Sequence, residues 1–397
     1  MSSNRSRLRL SGTNLKRVAD HNQRITLHAI RVHGPLTRMD LARITGLTPP
    51  AVANISRRLL ADGLIEEAGR RRGGRGSPPT NLIINPEACY SIGLNVDRDH
   101  ITIVMVNFVG QTIARRSLEA AFALPDVVAD FYRGSVSDMI AEADVDLSHV
   151  VGVGVASPDD LGLVDLPGRP AGYRQWDTAD WKALFGEPFG LPVFVENDSA
   201  AAAMGEQQLG LGQKYPSFFY LLVSWGLGGG LVLDGAYFRG ADGRSGEIGF
   251  LPDSDGRGQI QTHVSLSGLA VLLQKEGAKL KDLQRRDPKI NAVVDHWLGN
   301  AIEKLREPLA AVNCLINPAA ILIGGRLPGD LIDQLVRKLD TAQRKTKAVL
   351  PAVAPVERAM LAEDAPAVGA AILPFTFYLL PTSTSLWKTV RSAQEAA

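Results

Sequence analysis

The 397-residue chain is 45% apolar and 21% charged, the balance of an ordinary folded protein with room for two or three domains. Its two cysteines, Cys89 and Cys314, exclude a disulfide framework and a cysteine-built metal cluster, and they point to a reducing compartment. The net charge of +1 conceals a division: residues 1–80 carry 15 Lys plus Arg against 5 Asp plus Glu, and the remainder carries 28 against 37.

A basic head on an acidic body suggests a nucleic-acid module joined to something else. The opening MSSNRSRLRL has arginines but no apolar core after them, so a secretory leader is not expected. The longest apolar tract, AVGAAILPFTFYLL (367–380), is too short to span a membrane and contains Pro374. A cytoplasmic protein without a membrane partner is expected.

In the head, Leu15, Val18, Ile25, Ala29 and Val32 recur at helical spacing and stop at His33-Gly34-Pro35. Thr37-Arg38-Met39-Asp40 reads as a capping box with aspartate at its last position, opening a short helix that ends at Thr45-Gly46. Thr48 can cap the next helix, with Pro49 at its first position. Val52, Ile55 and Leu59 form its apolar stripe, while Pro50, Ala51, Asn54, Arg57 and Arg58 project away.

Two short helices about a tight glycine turn make a helix-turn-helix, whose second helix enters the major groove of double-stranded operator DNA. Asn54 suits adenine there and Arg57 suits guanine. GLIEE and TNLIIN then read as strands flanking a wing, where Arg70, Arg71, Arg72 and Arg75 suit phosphates. The competing reading is a small structural bundle with a solvated loop.

From Ala88 onward strands and helices alternate, an α/β pattern in two halves. Each half starts with a strand, a hairpin and a further strand, at 91–108 and again at 218–233. LPVFV (191–195) reads as a short buried strand, and SAAAAMGE (199–206) opens a helix. Glu196, Asn197 and Asp198 then stand at a strand's carboxyl end, where open α/β sheets bind ligands.

SWGLGGGLVLDGAYFRGADGRSGEIGF (224–250), VENDSAAAAMGE (195–206) and NPAAILIGG (317–325) together resemble the ROK family, which joins repressors, uncharacterised reading frames and sugar kinases. The resemblance runs from about residue 10 to residue 380. It implies a winged helix-turn-helix over residues 1–84 and a two-lobed, actin-like or sugar-kinase-like (ribonuclease H-like) body. The first lobe would take residues 85–200, completed by a C-terminal helix at 366–397, and the second residues 201–365. A homodimer or homotetramer is implied as well.

By the same resemblance Asp198 stands where the kinases of the family keep their base. Their Asp-x-Gly-Gly-Thr hairpin, however, is replaced by Asn95-Val96-Asp97-Arg98-Asp99, with two carboxylates that would repel a triphosphate and with side chains in the place of close backbone approach. Trp225 takes the place of a small threonine before Gly226-Leu227-Gly228-Gly229-Gly230. The family's zinc-binding histidine position holds Phe250, no cysteine follows, and His263 stands alone, so neither a metal nor a cofactor is expected. Asn197, Asp198 and Glu247 match residues that hydrogen-bond sugar hydroxyls, with Gln261 aligning loosely as a fourth. Pro158-Asp159 stands where Pro-Gly is usual. The alternative for the first pair is structural, Asp198 capping the helix and Asn197 holding the turn.

The expectation is a DNA-binding regulator, a repressor of carbohydrate uptake or catabolism genes, whose inactive kinase-like body senses a sugar or derivative and catalyses nothing. The alternative is a bifunctional ATP-dependent sugar kinase that also binds DNA. A third reading gives the body a dimerisation role only.

Overall fold

The computed structural model describes residues 21–70, 79–163, 169–253, 256, 258–285, 287–345 and 350–381. The head comprises α1 (His21–His33), β1 (Leu36–Thr37), α2 (Arg38–Thr45), α3 (Pro49–Ala61), β2 (Ile65–Arg70) and β3 (Thr80–Ile84), with β1, β3 and β2 side by side as an antiparallel sheet. The capping box is present in full: Thr37 Oγ1 accepts from Asp40 N at 3.2 Å and Asp40 Oδ2 from Thr37 N at 3.1 Å. Gly46 closes α2 at φ 69°, which favours glycine.

Two details of the head differ from the sequence reading. The buried face of α1 is Gln23, Thr26, Leu27, Ala29 and Ile30, whereas Ile25 is half-buried and Val32 exposed. Of the expected stripe Ala29 lies on the packed face, while Leu15 and Val18 lie outside the described residues. Thr48 stands at the cap of α3 but makes no capping bond. A capping oxygen takes the second or third N–H of the helix, and here the second residue is Pro50, which has none.

The body follows as β4 (Tyr90–Val96), β5 (His100–Asn107), β6 (Thr112–Glu119), α4 (Pro125–Glu142), β7 (Val150–Ser157), α5 (Trp181–Phe185), β8 (Val193–Asn197) and α6 (Asp198–Leu209). A second set contains β9 (Phe218–Val223), β10 (Leu227–Leu233), β11 (Ala236–Tyr237), α7 (Gln261–Val264), α8 (Leu266–Lys275), α9 (Pro288–Leu315), β12 (Ala320–Gly325), α10 (Gly329–Lys345), β13 (Val356–Arg358) and α11 (Ala365–Tyr378). The strands form two five-stranded sheets of one plan, ordered β6-β5-β4-β7-β8 and β11-β10-β9-β12-β13. In each, an antiparallel hairpin adjoins two parallel strands.

Strand β8 is not a buried strand. It lies at the sheet edge, with Val195 49% exposed, because only β7 pairs with it. The C-terminal helix ends at Tyr378, and residues 382–397 lie outside the described residues. It packs on β4, β7 and α6 at backbone distance: a Cβ on Gly369 would sit 1.7 Å from Ala201 O, so any side chain there would force α6 and α11 apart.

Head and body share one apolar cluster. Leu27, Ile30, Leu59 and Leu82 of the head belong to the same buried core as Cys89, Phe108, Phe375 and Leu380 of the body. Burial of this kind stabilises by about 25 cal/mol per Å², so the head rests on the body through apolar packing. Among the described residues no helix is long and apolar enough to cross a membrane.

Candidate functional site: an interlobe cleft and an exposed helix

The chain turns twice at equivalent places, and both turns face one cleft. Between β4 and β5 the turn is Asp97-Arg98-Asp99; between β9 and β10 it is Ser224-Trp225-Gly226. A cavity of about 150 Å³ lies between them, lined by both turns, by the start of α6, and by Asp159, Glu247, Phe250 and Gln261. The structure thus brings Asn197, Asp198, Glu247 and Gln261 together on one cavity.

Asn197, not Asp198, caps α6: its Oδ1 accepts from Ser199 N at 2.9 Å and from Ala200 N at 3.1 Å. The helix-cap alternative for Asp198 is thereby corrected. Asp198 is the first helical residue and is buried, with Oδ1 accepting from the backbone N–H of Ser199 at 2.7 Å and its hydroxyl at 3.1 Å. Burial and the neighbouring Asp97 push its carboxyl up to about 7, against the opposing pull of Arg98 and of the Ser199 bonds. Near neutral pH it can therefore present a proton or a lone pair.

Glu247 is half-buried, and burial followed by the nearby Asp159 raises its carboxyl above the usual range, with Arg244 opposing. Arg244 Nη2 lies 3.2 Å from Glu247, while its Nη1 reaches Asp160 across the cleft at 2.8 Å. Gln261 opens α7, and its amide bonds Gln259 at 2.5 Å. Phe250 is 39% exposed, lines the cavity, and carries the Arg244 guanidinium over its ring at 5.9 Å.

The expected repulsion of a triphosphate by Asp97 and Asp99 needs correction. Asp99 is bound by Arg326 at 2.7 Å and by His100 at 2.8 Å, and these partners hold its carboxyl below the usual range although burial alone would raise it. Asp97 accepts from the Arg98 backbone N–H at 2.7 Å. Between the two turns stands Arg98, which is buried, with its Nη1 3.7 Å from where a Cβ on Gly226 would lie. Its Nε has no hydrogen-bond partner among the described residues.

Asp97, Asp99 and His100 are the only three such groups close enough to share an ion among the described residues. Their donors are engaged: Asp99 is paired as above, and Asn95 Nδ2 lies 3.1 Å from His100 Nε2. His263 is tied instead to Asp253 at 2.7 Å and Asn300 at 3.3 Å.

On the head, Thr48, Pro50, Asn54, Arg57 and Arg58 are exposed together along α3, with Ala51 half-buried among them. Arg57 Nη1 donates to Asn54 Oδ1 at 3.1 Å, so the two present one polar unit. Arg70 ends β2, while Arg71, Arg72 and Arg75 lie outside the described residues.

Head and cleft are joined by α6. Its first turn holds Asn197 and Asp198 at the cavity; near its last turn Gln208 accepts a hydrogen bond from Arg31 of α1, and Arg24 donates to Leu380 O at 3.1 Å. Arg31 is half-buried at this junction, and loss of solvent lowers its guanidinium to about 10.

The ROK family model matches residues 91–376, most of the chain. The chain belongs to the ROK family. The head matches the MarR family model over residues 16–76. Uncharacterized protein y4fQ of Sinorhizobium fredii is 30% identical over 360 residues, 89% of this chain and 90% of that one. The xylose repressor of Bacillus spizizenii is 28% identical over 273 residues, 68% of this chain and 70% of that one. A solved ROK family transcriptional regulator, described as a homolog of the E. coli MLC protein, aligns with a TM-score of 0.68 at 22% identity, covering 94% of this chain and 100% of that one. This ROK chain is therefore a winged helix-turn-helix followed by a sugar-kinase-like α/β body.

Proposed function

We propose that this ROK protein is a DNA-binding transcriptional repressor of carbohydrate genes whose body is a sugar sensor, works as a homodimer or homotetramer in the cytoplasm, and has given up phosphoryl transfer. The observation that carries the reading is α6, a single helix on the order of 18 Å long that starts at the cavity and ends against the head. A sugar gripping Asn197 and Asp198 on one lobe and Glu247 and Gln261 on the other draws the lobes together. That movement displaces α6 and with it the seat of α1, changing the spacing of two heads on paired half-sites.

Asn, Gln, Asp and Glu offer the paired donors and acceptors that hydroxyls require, and Asp198, with its near-neutral carboxyl, can serve as either partner. On the head, Arg57 with Asn54 reads base edges, and Thr48, Arg58 and the wing arginines Arg70, Arg71, Arg72 and Arg75 hold phosphates. Xylose, named for a relative, is one sugar to try first.

The kinase reading retains one feature, since a buried carboxyl raised to about 7 is what a general base needs. Against it stand Asn95, which carries no charge for a metal ion, and the Arg98 side chain lodged beside Gly226. A coupled ATP-consumption assay over hexoses, pentoses and amino sugars separates the two: no turnover is expected, and turnover abolished by Asp198→Asn would overturn the sensor reading. For the head, Arg57→Ala is expected to relax sequence preference, and Arg71→Ala to weaken binding broadly and flatten its salt dependence. Parent-like operator binding by both variants would refute the DNA contacts.

A further inference from the structure

Beside the interlobe cavity runs a second, larger depression of about 410 Å³. The two share Pro158, Asp159 and Asn197, so they form one continuous cleft with a narrow inner end and a wide outer end. Nothing in the sensor reading uses the outer end. The inner cavity, at about 150 Å³, is the smaller of the two.

The outer groove has a distinct chemistry. One wall carries Trp181, half-buried and stacked on the buried Trp176 with ring centroids 5.0 Å apart and planes at 26°. The stack fixes the indole, so a ligand meeting it loses little freedom on the protein side. The opposite wall is the loop ahead of Glu247, where Arg239 lies 2.5 Å from Glu196 and Arg244 lies 2.8 Å from Asp160.

These pairs run between the two lobes, and the Arg244–Asp160 pair is 43% exposed on both sides. That pair contributes little by itself, and its charges remain open to hydroxyl groups, as does the 57% exposed Arg239 of the other. An aromatic face beside charged donors and acceptors is the arrangement that receives a pyranose, whose C–H face stacks while its rim hydrogen-bonds.

We infer that the outer groove is a second sugar subsite and that the effector is a disaccharide or longer oligosaccharide. One ring lies in the inner cavity and the next lies against Trp181. The inference rests on the reading of the inner cavity as a sugar site. Because Trp181 belongs to one lobe and Arg239 to the other, the second ring adds its own clamp between them. An extended ligand therefore closes the cleft further than a monosaccharide does.

The test is calorimetric titration of the full chain with xylose and xylobiose, glucose with maltose and cellobiose, and galactose with lactose and melibiose. At least one disaccharide is expected to bind tenfold or more tightly than its monosaccharide. Trp181→Ala is expected to erase that gain and leave monosaccharide affinity unchanged. Since Trp181 also packs on Phe185, Arg239→Ala on the opposite wall serves as a second variant and is expected to reduce the same gain. Monosaccharides binding as tightly as every disaccharide, or variants weakening both alike, would overturn the subsite while sparing the inner cavity. Absence of binding by all these sugars to the parent protein would remove both.

Discussion

The two lobes fold alike, yet their equivalent turns have diverged. In the first, Asp97-Arg98-Asp99 is buried and ionic, with Asp99 anchored to Arg326 of the other lobe and Arg98 buried between the turns. In the second, Gly226 borders the cavity beside Gln261, while Gly228 lies in close contact with Ser199 and leaves no room for a side chain. The contrast teaches that one hairpin became a strut between the lobes while the other kept the shape of a ligand loop. A cleft built this way can respond to occupancy without doing chemistry.

The strut is the first thing to break. Arg326→Ala leaves Asp99 mostly buried with His100 as its remaining side-chain partner, and is expected to cost about 2–4 kcal/mol at neutral pH. The sign follows from the depressed carboxyl: stability from Asp99 is present above its unfolded value and lost as pH falls, so the deficit should shrink toward pH 3. Thermal melts across pH check both the size and the trend.

The open loop has its own sensitive point. A Cβ on Gly228 would fall 1.8 Å from Ser199 Oγ, the hydroxyl that bonds Asp198. Gly228→Ala is expected to destabilise by about 1–3 kcal/mol and to abolish the thermal shift given by sugar.

A smaller effect concerns Asp198 itself. Its raised carboxyl means that stability is full below its unfolded value and is lost as pH rises through about 7. Asp198→Asn should therefore melt level with the parent at pH 4 and be more stable at pH 8, by on the order of 1–2 kcal/mol. Equal melting at both values would contradict the buried, Asp97-facing environment.

The smallest effect sharpens the contrast within one loop. Gly226→Ala would place its Cβ 3.4 Å from Gln261 Oε1, an ordinary contact, and should change stability by less than about 0.5 kcal/mol.

What could be read in advance divides along local and distant interactions. The capping box at Thr37 and Asp40, the α3 stripe of Val52, Ile55 and Leu59, and the two hairpins are set by neighbours in the chain, and they were legible. Asn197, Asp198, Glu247 and Gln261 were legible as cavity residues because family motifs carry them. The fate of Asp99 was not, since its cation is Arg326, 227 residues away. Trp181 and Trp176 lie in a stretch without a motif, and only folding places their stack beside Asn197. Edge strand β8 was misjudged because apolar residues such as Val195 give no sign of how many partners a strand will have.

The central claim is that cleft and head are coupled through α6, and operator affinity measured with and without sugar tests it most directly. Fluorescence anisotropy of a labelled operator fragment should be recorded alone and with the sugar that most raises the melting temperature. A change of roughly 5- to 150-fold is expected, mirrored by the same change in sugar affinity when operator is bound, and lost in Gln208→Ala. An operator affinity that saturating sugar leaves untouched would contradict the coupling.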